Sequence, residues 1–274
     1  MATQAATFAR PIAYRSAGVV LPAFTLWWRE IVRFYRQPGR VIGVLASPLV
    51  FWLVLGSGFG NSLQSTGGGQ QHYLDYFYPG TLILIVLFTS IFTMMSVIED
   101  RKEGFLLSVL VAPVPRTAIV LGKVLGGTTL SAAQGLIFLI FAPFAGVHLH
   151  PLQVLLVAVV VFLVSFSLTA LGFAIAWPMD SSQAFHGIVN LFLIPLWLLS
   201  GALFPLTGAS AWIRAIMHLN PLTYGVEALR WLLYPSQGTV FAIESAMATL
   251  ILFSLVMFAL ALLMANRRST RPAA

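Results

Sequence analysis

Few residues in this chain carry side chains of the kinds that usually do chemistry. Lys123 follows Gly122, as the lysine of a phosphate-binding loop follows a glycine. Such a loop also needs a glycine five residues earlier and a serine or threonine next, where this chain has Thr117 and Val124. There is no cysteine, which excludes thiolate chemistry and disulfides.

Two histidines and one serine are the other candidates for a reactive site. His148 and His150 lie two residues apart, but a zinc site takes at least three protein ligands, and the role of this pair stays open. Ser200 lies in the sequence LLSGA, which is not the G-x-S-x-G turn of a serine hydrolase. We therefore expect no enzyme activity and no cofactor bound by this chain itself.

The densest charge is a block of five consecutive residues, Glu99, Asp100, Arg101, Lys102 and Glu103. An apolar stretch, FLLSVLV at 105–111, follows and is too short to cross a membrane, and prolines at 113 and 115 end it. An ordinary solvated loop has little reason to group such residues, so the pattern favours a docking helix for a partner. Charges would set its orientation, Gly104 would allow a turn, and the apolar contacts would be Phe105, Leu106, Leu107 and Leu110.

The elements that position this segment follow from the composition. The chain is 59% hydrophobic and 8% charged, whereas a soluble domain has about 25% charged residues, so lipid is the expected solvent. A spanning helix needs about 20 mostly apolar residues. Stretches without Asp, Glu, Lys or Arg predict an all-α membrane protein, one domain over 1–274, with six transmembrane helices at about 41–60, 77–98, 119–145, 152–177, 186–204 and 240–265.

The distribution of Lys and Arg predicts the orientation of these spans. Thirteen of the fifteen basic residues fall in the N-terminal segment before the first span, in 99–123 and in the C-terminal tail, and only Arg214 and Arg230 fall on the other side. We therefore expect both termini and 99–123 in the cytoplasm. Basic residues at segment ends are typical of a membrane protein, so nucleic acid is not an expected partner.

The residues before the first span, about 22–38, predict an amphipathic helix. Its basic residues recur at spacings of four, three and four, as Arg29, Arg33, Arg36 and Arg40, whereas Trp27 falls with other aromatic residues on the opposite face. Such a helix is typical of the cytoplasmic membrane interface, with its arginines on anionic headgroups. The pattern leaves open whether it is only an anchor or also moves.

Between spans five and six, residues 203–238 hold apolar pieces too short to cross, broken by prolines and glycines. They predict short helices that re-enter the outer leaflet and turn back. Glu227 and Arg230 are three apart and can pair on one helix face. The residues predicted to matter near an exit path are Pro205, Asn220, Pro221, Tyr224, Glu227 and Arg230.

Two segments, EDRKEGFLLSVLVAPVPR…LGK (99–123) and SGALFP…NPLTYGVEALR (200–230), together resemble the ABC-2 type permeases. The resemblance covers nearly the whole chain and is nearest to the daunorubicin-exporter, drug-resistance branch. It implies a dimer of permeases, either a homodimer or a pair with a close paralogue. It also implies two separate cytoplasmic ATPase subunits that hold the ATP and Mg, and a coupling helix within 99–123 that sits in a groove of the ATPase.

On this resemblance, we expect the membrane subunit of an ATP-driven exporter in a bacterial inner membrane, in contact with membrane lipids. Aromatic residues make up 13% of the chain, which suits a hydrophobic, drug-like or lipid-like cargo. The alternatives are a polysaccharide or glycolipid exporter and an ion-coupled carrier without an ATPase. Few ionisable residues fall within the spans, which disfavours the carrier.

Overall fold

The computed structural model describes residues 18–58, 73–235 and 239–267, and all regular secondary structure in these ranges is helical. The predicted all-α class is therefore confirmed. The helices are α1 (Val20–Tyr35), α2 (Pro38–Gly58), α3 (Tyr73–Lys102), α4 (Phe105–Val111), α5 (Arg116–Phe138), α6 (Pro151–Ala176), α7 (Ser182–Trp197), α8 (Ala211–Leu219), α9 (Pro221–Leu233) and α10 (Ile243–Asn266). Outside the described residues lie the basic residues Arg10, Arg15, Arg268 and Arg271, the side chain of Arg40, and the ends of two predicted segments at 59–60 and 236–238.

Five of the described helices are long and apolar enough to cross a membrane. They are α3, α5 with its 3-10 continuation Leu139–Ala145, α6, α7 with the turn Leu198–Ala202, and α10. The remaining predicted span, 41–60, corresponds to α2, whose apolar part Leu45–Gly58 is shorter. Among the described residues, five of the six predicted spans therefore have full-length helices, and the remaining one, which runs past the described part of α2, stays a prediction.

Helix α3 forms the centre of the bundle. In its apolar 18-residue stretch, 83% of the residues are buried, against 17% in the corresponding stretch of α10. Helix α3 packs against α2, α5, α6 and α7. Glycines let these helices approach closely, as is common where spans meet in a membrane. A Cβ added at Gly127 of α5 would lie 2.6 Å from Thr169 Cγ2 of α6 and 2.8 Å from Thr93 Oγ1 of α3.

Two arginines show which helix ends lie together. Arg101, at the end of α3, donates to the carbonyls of Trp177 and Met179 (2.8 Å) just after α6. Arg116, at the start of α5, donates to the carbonyl of Ala265 (2.7 Å) at the end of α10. Cationic side chains at helix C-termini bind the last carbonyls and oppose the helix dipole. The connection between α6 and α7, which carries no Lys or Arg, therefore lies at the same end of the bundle as 99–123.

The segment 99–123, predicted to contain a short docking helix, is largely helical. Helix α3 continues to Lys102, and α5 begins at Arg116. Between them, Gly104 has φ 77°, a left-handed conformation that glycine adopts without steric cost. The chain turns there into α4, and the turn predicted at this glycine is confirmed. The segment predicted to re-enter the membrane contains α8 and α9, preceded by a 3-10 turn at Leu206–Gly208.

Candidate functional site

The N-terminal helix α1 packs along α5 instead of lying apart from the bundle. A Cβ added at Gly122 would lie 2.6 Å from Leu26 Cβ, and one added at Gly126 would lie 2.7 Å from Glu30 Cβ. Trp27, predicted on the face opposite the arginines, donates its indole N–H to Thr129 Oγ1 at 3.0 Å. Two glycines on one face of α5 therefore make the groove in which α1 lies.

A cluster of charged side chains joins α1 to the end of α3 and the start of α5. We call it the charged cluster, and its members are Arg29, Glu30, Arg33, Glu99, Asp100 and Lys123. Asp100 and Lys123 pair directly and are 0% and 1% exposed. Lys123 also donates to Glu30 Oε1 at 2.6 Å and to Ser96 Oγ at 3.1 Å.

The two arginines close the cluster from the side of α1. Arg29 makes two hydrogen bonds to the Asp100 carboxylate, at 2.8 and 3.0 Å. Arg33 donates to Asp100 at 2.7 Å and to Glu99 at 2.8 Å. Burial acts to lower the pKa of Arg33, but the surrounding carboxylates, Asp100 foremost, outweigh it and raise that pKa above its ordinary value. Buried charges persist only when paired and hydrogen-bonded, and this cluster contains three cations and three carboxylates.

Arg29 and Arg33 were predicted to bind headgroups, and in the structure both side chains pair with carboxylates of the chain. Arg36 remains exposed. The aromatic residues of α1 do not share one face either: Phe34 is buried, whereas Tyr35 is 62% exposed. The periodicity identified the polar face correctly but not what that face meets.

Helix α4 is fixed to the charged cluster and to α1. The Arg29 guanidinium lies 3.7 Å from the centroid of the Phe105 ring, a cation–π contact. Leu106 is 3% exposed and packs with Leu26 and Ile119. Because these contacts hold one face of α4, the opposite face is displayed in a defined orientation.

The displayed face differs from the predicted docking set. Asp100 and Leu106 are buried inside the chain, and Arg101 is held by the loop after α6. Of the residues predicted to dock, the following remain exposed: Lys102, Glu103, Leu107 and Leu110. Val111, which belongs to the predicted apolar stretch but was not among its predicted contacts, is 88% exposed, and Leu107 is 62% exposed.

The predicted pair at the other end of the bundle forms and is buried. Glu227 and Arg230 of α9 make a salt bridge and are 2% and 6% exposed. Glu227 Oε2 also accepts from the Val240 amide at 2.9 Å. Asn220 accepts from the amide of Leu222 at 3.0 Å and caps α9.

The remaining residues of the predicted exit segment have separate local roles. Pro221 is the first residue of α9, where a proline costs no hydrogen bond. Pro205 precedes the turn Leu206–Gly208. Tyr224 donates to the carbonyl of His218 at 2.9 Å.

A cavity of about 440 Å³ lies between α2, α3 and α7, and it was not predicted from the sequence. Its wall is mostly apolar and includes Gly43, Ser47, Phe88, Phe92, Met95 and His186. The His186 ring lies 5.3 Å from that of Phe92. A signal was present in the spacing of Gly39, Gly43 and Ser47, because small residues four apart leave one face of a helix open.

His148 and His150 have no metal-binding partners among the described residues, where no group of three potential ligands occurs. Both side chains are exposed. His150 begins α6, where its backbone N–H donates to Gln153 Oε1 at 3.3 Å. The role of His148 stays open.

The helices and the charged cluster together define a multi-span helical membrane protein whose first helix is locked to two of its spans. The model of the ABC-2 type transporter family matches residues 23–234, and the chain belongs to that family. The resemblance seen in the two sequence segments is thereby confirmed.

Three relatives cover most of this chain and of their own lengths. The putative transport permease ycf38 of Cyanophora paradoxa is 29% identical over 251 residues, which is 86% of each chain. The daunorubicin resistance ABC transporter permease protein DrrB1 of Streptomyces coeruleorubidus is 25% identical over 228 residues, covering 81% of this chain and 78% of the relative. The inner membrane transport permease YadH of Escherichia coli K12 is 27% identical over 215 residues, covering 76% and 80%.

Proposed function

We propose that this chain is the membrane subunit of an ATP-driven exporter, that a separate cytoplasmic ATPase docks on α4, and that the cargo is hydrophobic. ABC-2 permeases normally work with such an ATPase. The chain would then lie in a bacterial inner membrane with both termini in the cytoplasm, as its basic residues predict.

The observation that carries the proposal is the exposed tip of α4. Leu107 and Val111 are exposed on a seven-residue helix beside the charged residues Lys102 and Glu103. Apolar anchors surrounded by charge are typical of a contact surface, where the anchors supply the affinity and the charges the orientation. A helix fixed by a buried charged cluster can transmit a displacement to the rest of the bundle, whereas a flexible loop would not transmit it.

Such a displacement would be transmitted through α1. Helix α1 holds α4 through Leu26 and Arg29, and only two residues separate α1 from α2. Helix α2 in turn forms one wall of the cavity that Phe88 and Phe92 line. A displacement of α4 would therefore reach the cavity through two helices joined by a short connection, and α1 would be more than an anchor.

The cavity supports a hydrophobic cargo. Its larger apolar side chains are Phe88, Phe92 and Met95, and its polar groups are His186 and Ser47. A mainly apolar wall with few polar groups is common in sites for drug-sized apolar ligands. A polysaccharide would need many more hydrogen-bonding groups there, so a glycan cargo is the second candidate. The small residues of α2 that line the cavity also permit a close approach by a second copy of the chain.

The test uses the full chain purified from its native membrane in mild detergent, with orthovanadate-sensitive ATP hydrolysis as the readout. We expect this activity to co-purify with the chain and to be lost when Leu107→Ser and Val111→Ser are combined. Two apolar anchors at about 1–2 kcal/mol each correspond to an affinity lower by about 100-fold. The control is Leu219→Ser, because Leu219 is 85% exposed at the opposite end of the bundle.

Unchanged co-purifying hydrolysis in the double variant would remove α4 as the docking helix. Transport by the purified chain without any ATPase would instead support the ion-coupled carrier. Stimulation of the hydrolysis by daunorubicin, and not by a lipid-linked glycan, is the outcome expected for a hydrophobic cargo.

A further inference from the structure

The path of α7 is broken at the end remote from α4. The helix ends at Trp197, and the wide turn Leu198–Ala202 follows. Leu199 (φ −91°, ψ 25°) and Gly201 (φ 79°) leave helical geometry inside that turn. A break of this kind frees backbone carbonyls from their helical partners, and in a membrane protein those carbonyls must find other donors inside the chain.

Side chains from two other helices supply these donors. Asn220 Nδ2, before α9, donates to the carbonyls of Leu196 and Leu199, the latter at 2.9 Å. Gly201 O accepts from Arg230 Nη2 at 3.2 Å and from the Tyr76 hydroxyl at 2.9 Å. We call Tyr76, Asn220 and Arg230 the latch.

The latch is itself held in position. Glu227 pairs with Arg230, and the Arg230 guanidinium lies 4.4 Å from the centroid of the Tyr76 ring. Helix α3 also touches the break directly, because a Cβ added at Gly80 would lie 2.5 Å from Ala202 Cβ. The break is therefore fastened to α3 and α9 at several points.

The rest of α7 is held much less firmly. In Ser182–Ala202, 33% of the apolar stretch is buried, against 83% in α3. Before Trp197, the buried residues of α7 lie on one face only, as Phe185, Val189 and Leu193. His186, near its start, lines the cavity shared with α2 and α3. A helix that packs through one face and is hydrogen-bonded to α3 and α9 at its end can swing about that end, and wide helical turns are frequent at functional positions.

We propose that the turn Leu198–Ala202 is a hinge, and that Tyr76, Asn220 and Arg230 are positioning residues that hold it closed. Because side chains donate these hydrogen bonds, the bonds can break and re-form without unfolding any helix. Release of the latch frees α7 to move against α3 and to change the width of the cavity. Only the consequence for export rests on the proposed function.

The test measures how often the hinge opens, with a buried thiol as the reporter. The chain has no cysteine, so Ser200→Cys, at a position that is 0% exposed, introduces a single thiol. Its rate of reaction with N-ethylmaleimide is measured in the full chain in membrane vesicles. Ser131→Cys, also at a fully buried position but in α5, reports opening elsewhere in the bundle.

The deciding variant is Asn220→Asp. A carboxylate keeps the oxygen that caps α9. It loses both bonds to α7 and faces the carbonyls of Leu196 and Leu199 with a negative charge, which should drive the turn open. We expect the thiol at position 200 to react on the order of tenfold faster, since leaving buried carbonyls without donors is costly. The thiol at position 131 should react at its unchanged rate. The matched control is Asn190→Asp, the same exchange at an exposed position of α7.

A milder pair decides the matter if Asn220→Asp does not accumulate. Tyr76→Phe removes one latch hydroxyl, whereas Tyr78→Phe removes a hydroxyl of the same helix that donates to Phe138 O at 3.0 Å. Faster labelling at position 200 only in Tyr76→Phe supports the latch. Two results would overturn the latch. One is equal labelling rates at position 200 in Tyr76→Phe and Tyr78→Phe, or in Asn220→Asp and Asn190→Asp. The other is an equal increase of the labelling rate at positions 200 and 131. None of these readouts needs an ATPase, so a failed latch and a failed exporter assignment are separable.

Discussion

The buried lysine of the charged cluster makes the sharpest prediction about stability. Lys123→Met keeps the length of the side chain and removes its charge, which leaves Glu30 and Asp100 buried with one cation fewer. Asp100 keeps two arginines, but Glu30 keeps only Arg29 at 3.6 Å. Removing one partner of a buried ion pair costs about 3–5 kcal/mol, which corresponds to a fall of roughly 10 °C in the unfolding midpoint.

The assay is thermal unfolding of the purified full chain in detergent. The chain offers a matched control, because its other lysine, Lys102, is exposed, and Lys102→Met should change the midpoint by no more than about 2 °C. The charge balance is tested by adding Glu30→Gln to Lys123→Met. The double variant removes one charge of each sign, so it should be more stable than Lys123→Met alone.

Two results would refute this reasoning. Equal midpoints for Lys123→Met and Lys102→Met would mean that the buried lysine carries no more of the stability than an exposed one. Strictly additive losses in the double variant would mean that Lys123 and Glu30 do not interact, because residues that share an ion pair are expected to show coupling.

Three further predictions concern the helices around these clusters. Gly126→Ala should lower the unfolding midpoint because the new Cβ meets Glu30, whereas Gly187→Ala in α7 has open space and should leave it unchanged or raise it slightly. Combining Glu227→Arg with Arg230→Glu should not restore the stability lost in Arg230→Ala. In that exchange a cation at position 227 faces the Val240 amide, and a carboxylate at position 230 faces the Gly201 carbonyl. Reporter fusions at residue 274 and near residue 67, the latter outside the described residues, should give cytoplasmic and external signals respectively, and matching signals would contradict the orientation.

The sequence predicted the helices well because their signals are local. Long apolar stretches and the prolines and glycines between them are visible within a few residues, and they placed α3, α5, α6 and α10 near their observed ranges. The partners of polar residues are not local. Arg29 and Asp100 are 71 residues apart, and a basic helix face that meets carboxylates has the same spacing as one that meets headgroups.

One signal for the charged cluster was present but was not used. On α3, Thr89, Thr93, Ser96 and Asp100 recur at spacings of four, three and four, and all four are buried. A polar stripe that leads to a carboxylate at the end of a span indicates a neighbouring helix rather than water. Lys123 lies near the start of the next span, α5, and is the partner that this polar stripe on α3 indicates.

The break in α7 shows why a local pattern was not enough there. The span predicted at 186–204 treated Gly201 as one residue of a continuous helix, and a proline at 195 is indeed accommodated inside α7. What makes the break stable is a set of donors at positions 76, 220 and 230. These donors are far from Gly201 in the sequence. The residues near Gly201 therefore could not distinguish a continuous helix from a turn held by the latch.

These cases suggest a different interpretation of conspicuous charge in such an apolar chain. Water cannot satisfy a polar group inside a bundle of spans, so Asp100, Lys123 and Arg230 are bonded within the chain. A surface for a soluble partner then has to come from residues that the bundle does not need. In the segment 99–123, those residues include Leu107 and Val111, and the buried charges hold their helix in place. The charged block therefore acts as the support of the proposed contact, and its apolar neighbours form the contact itself.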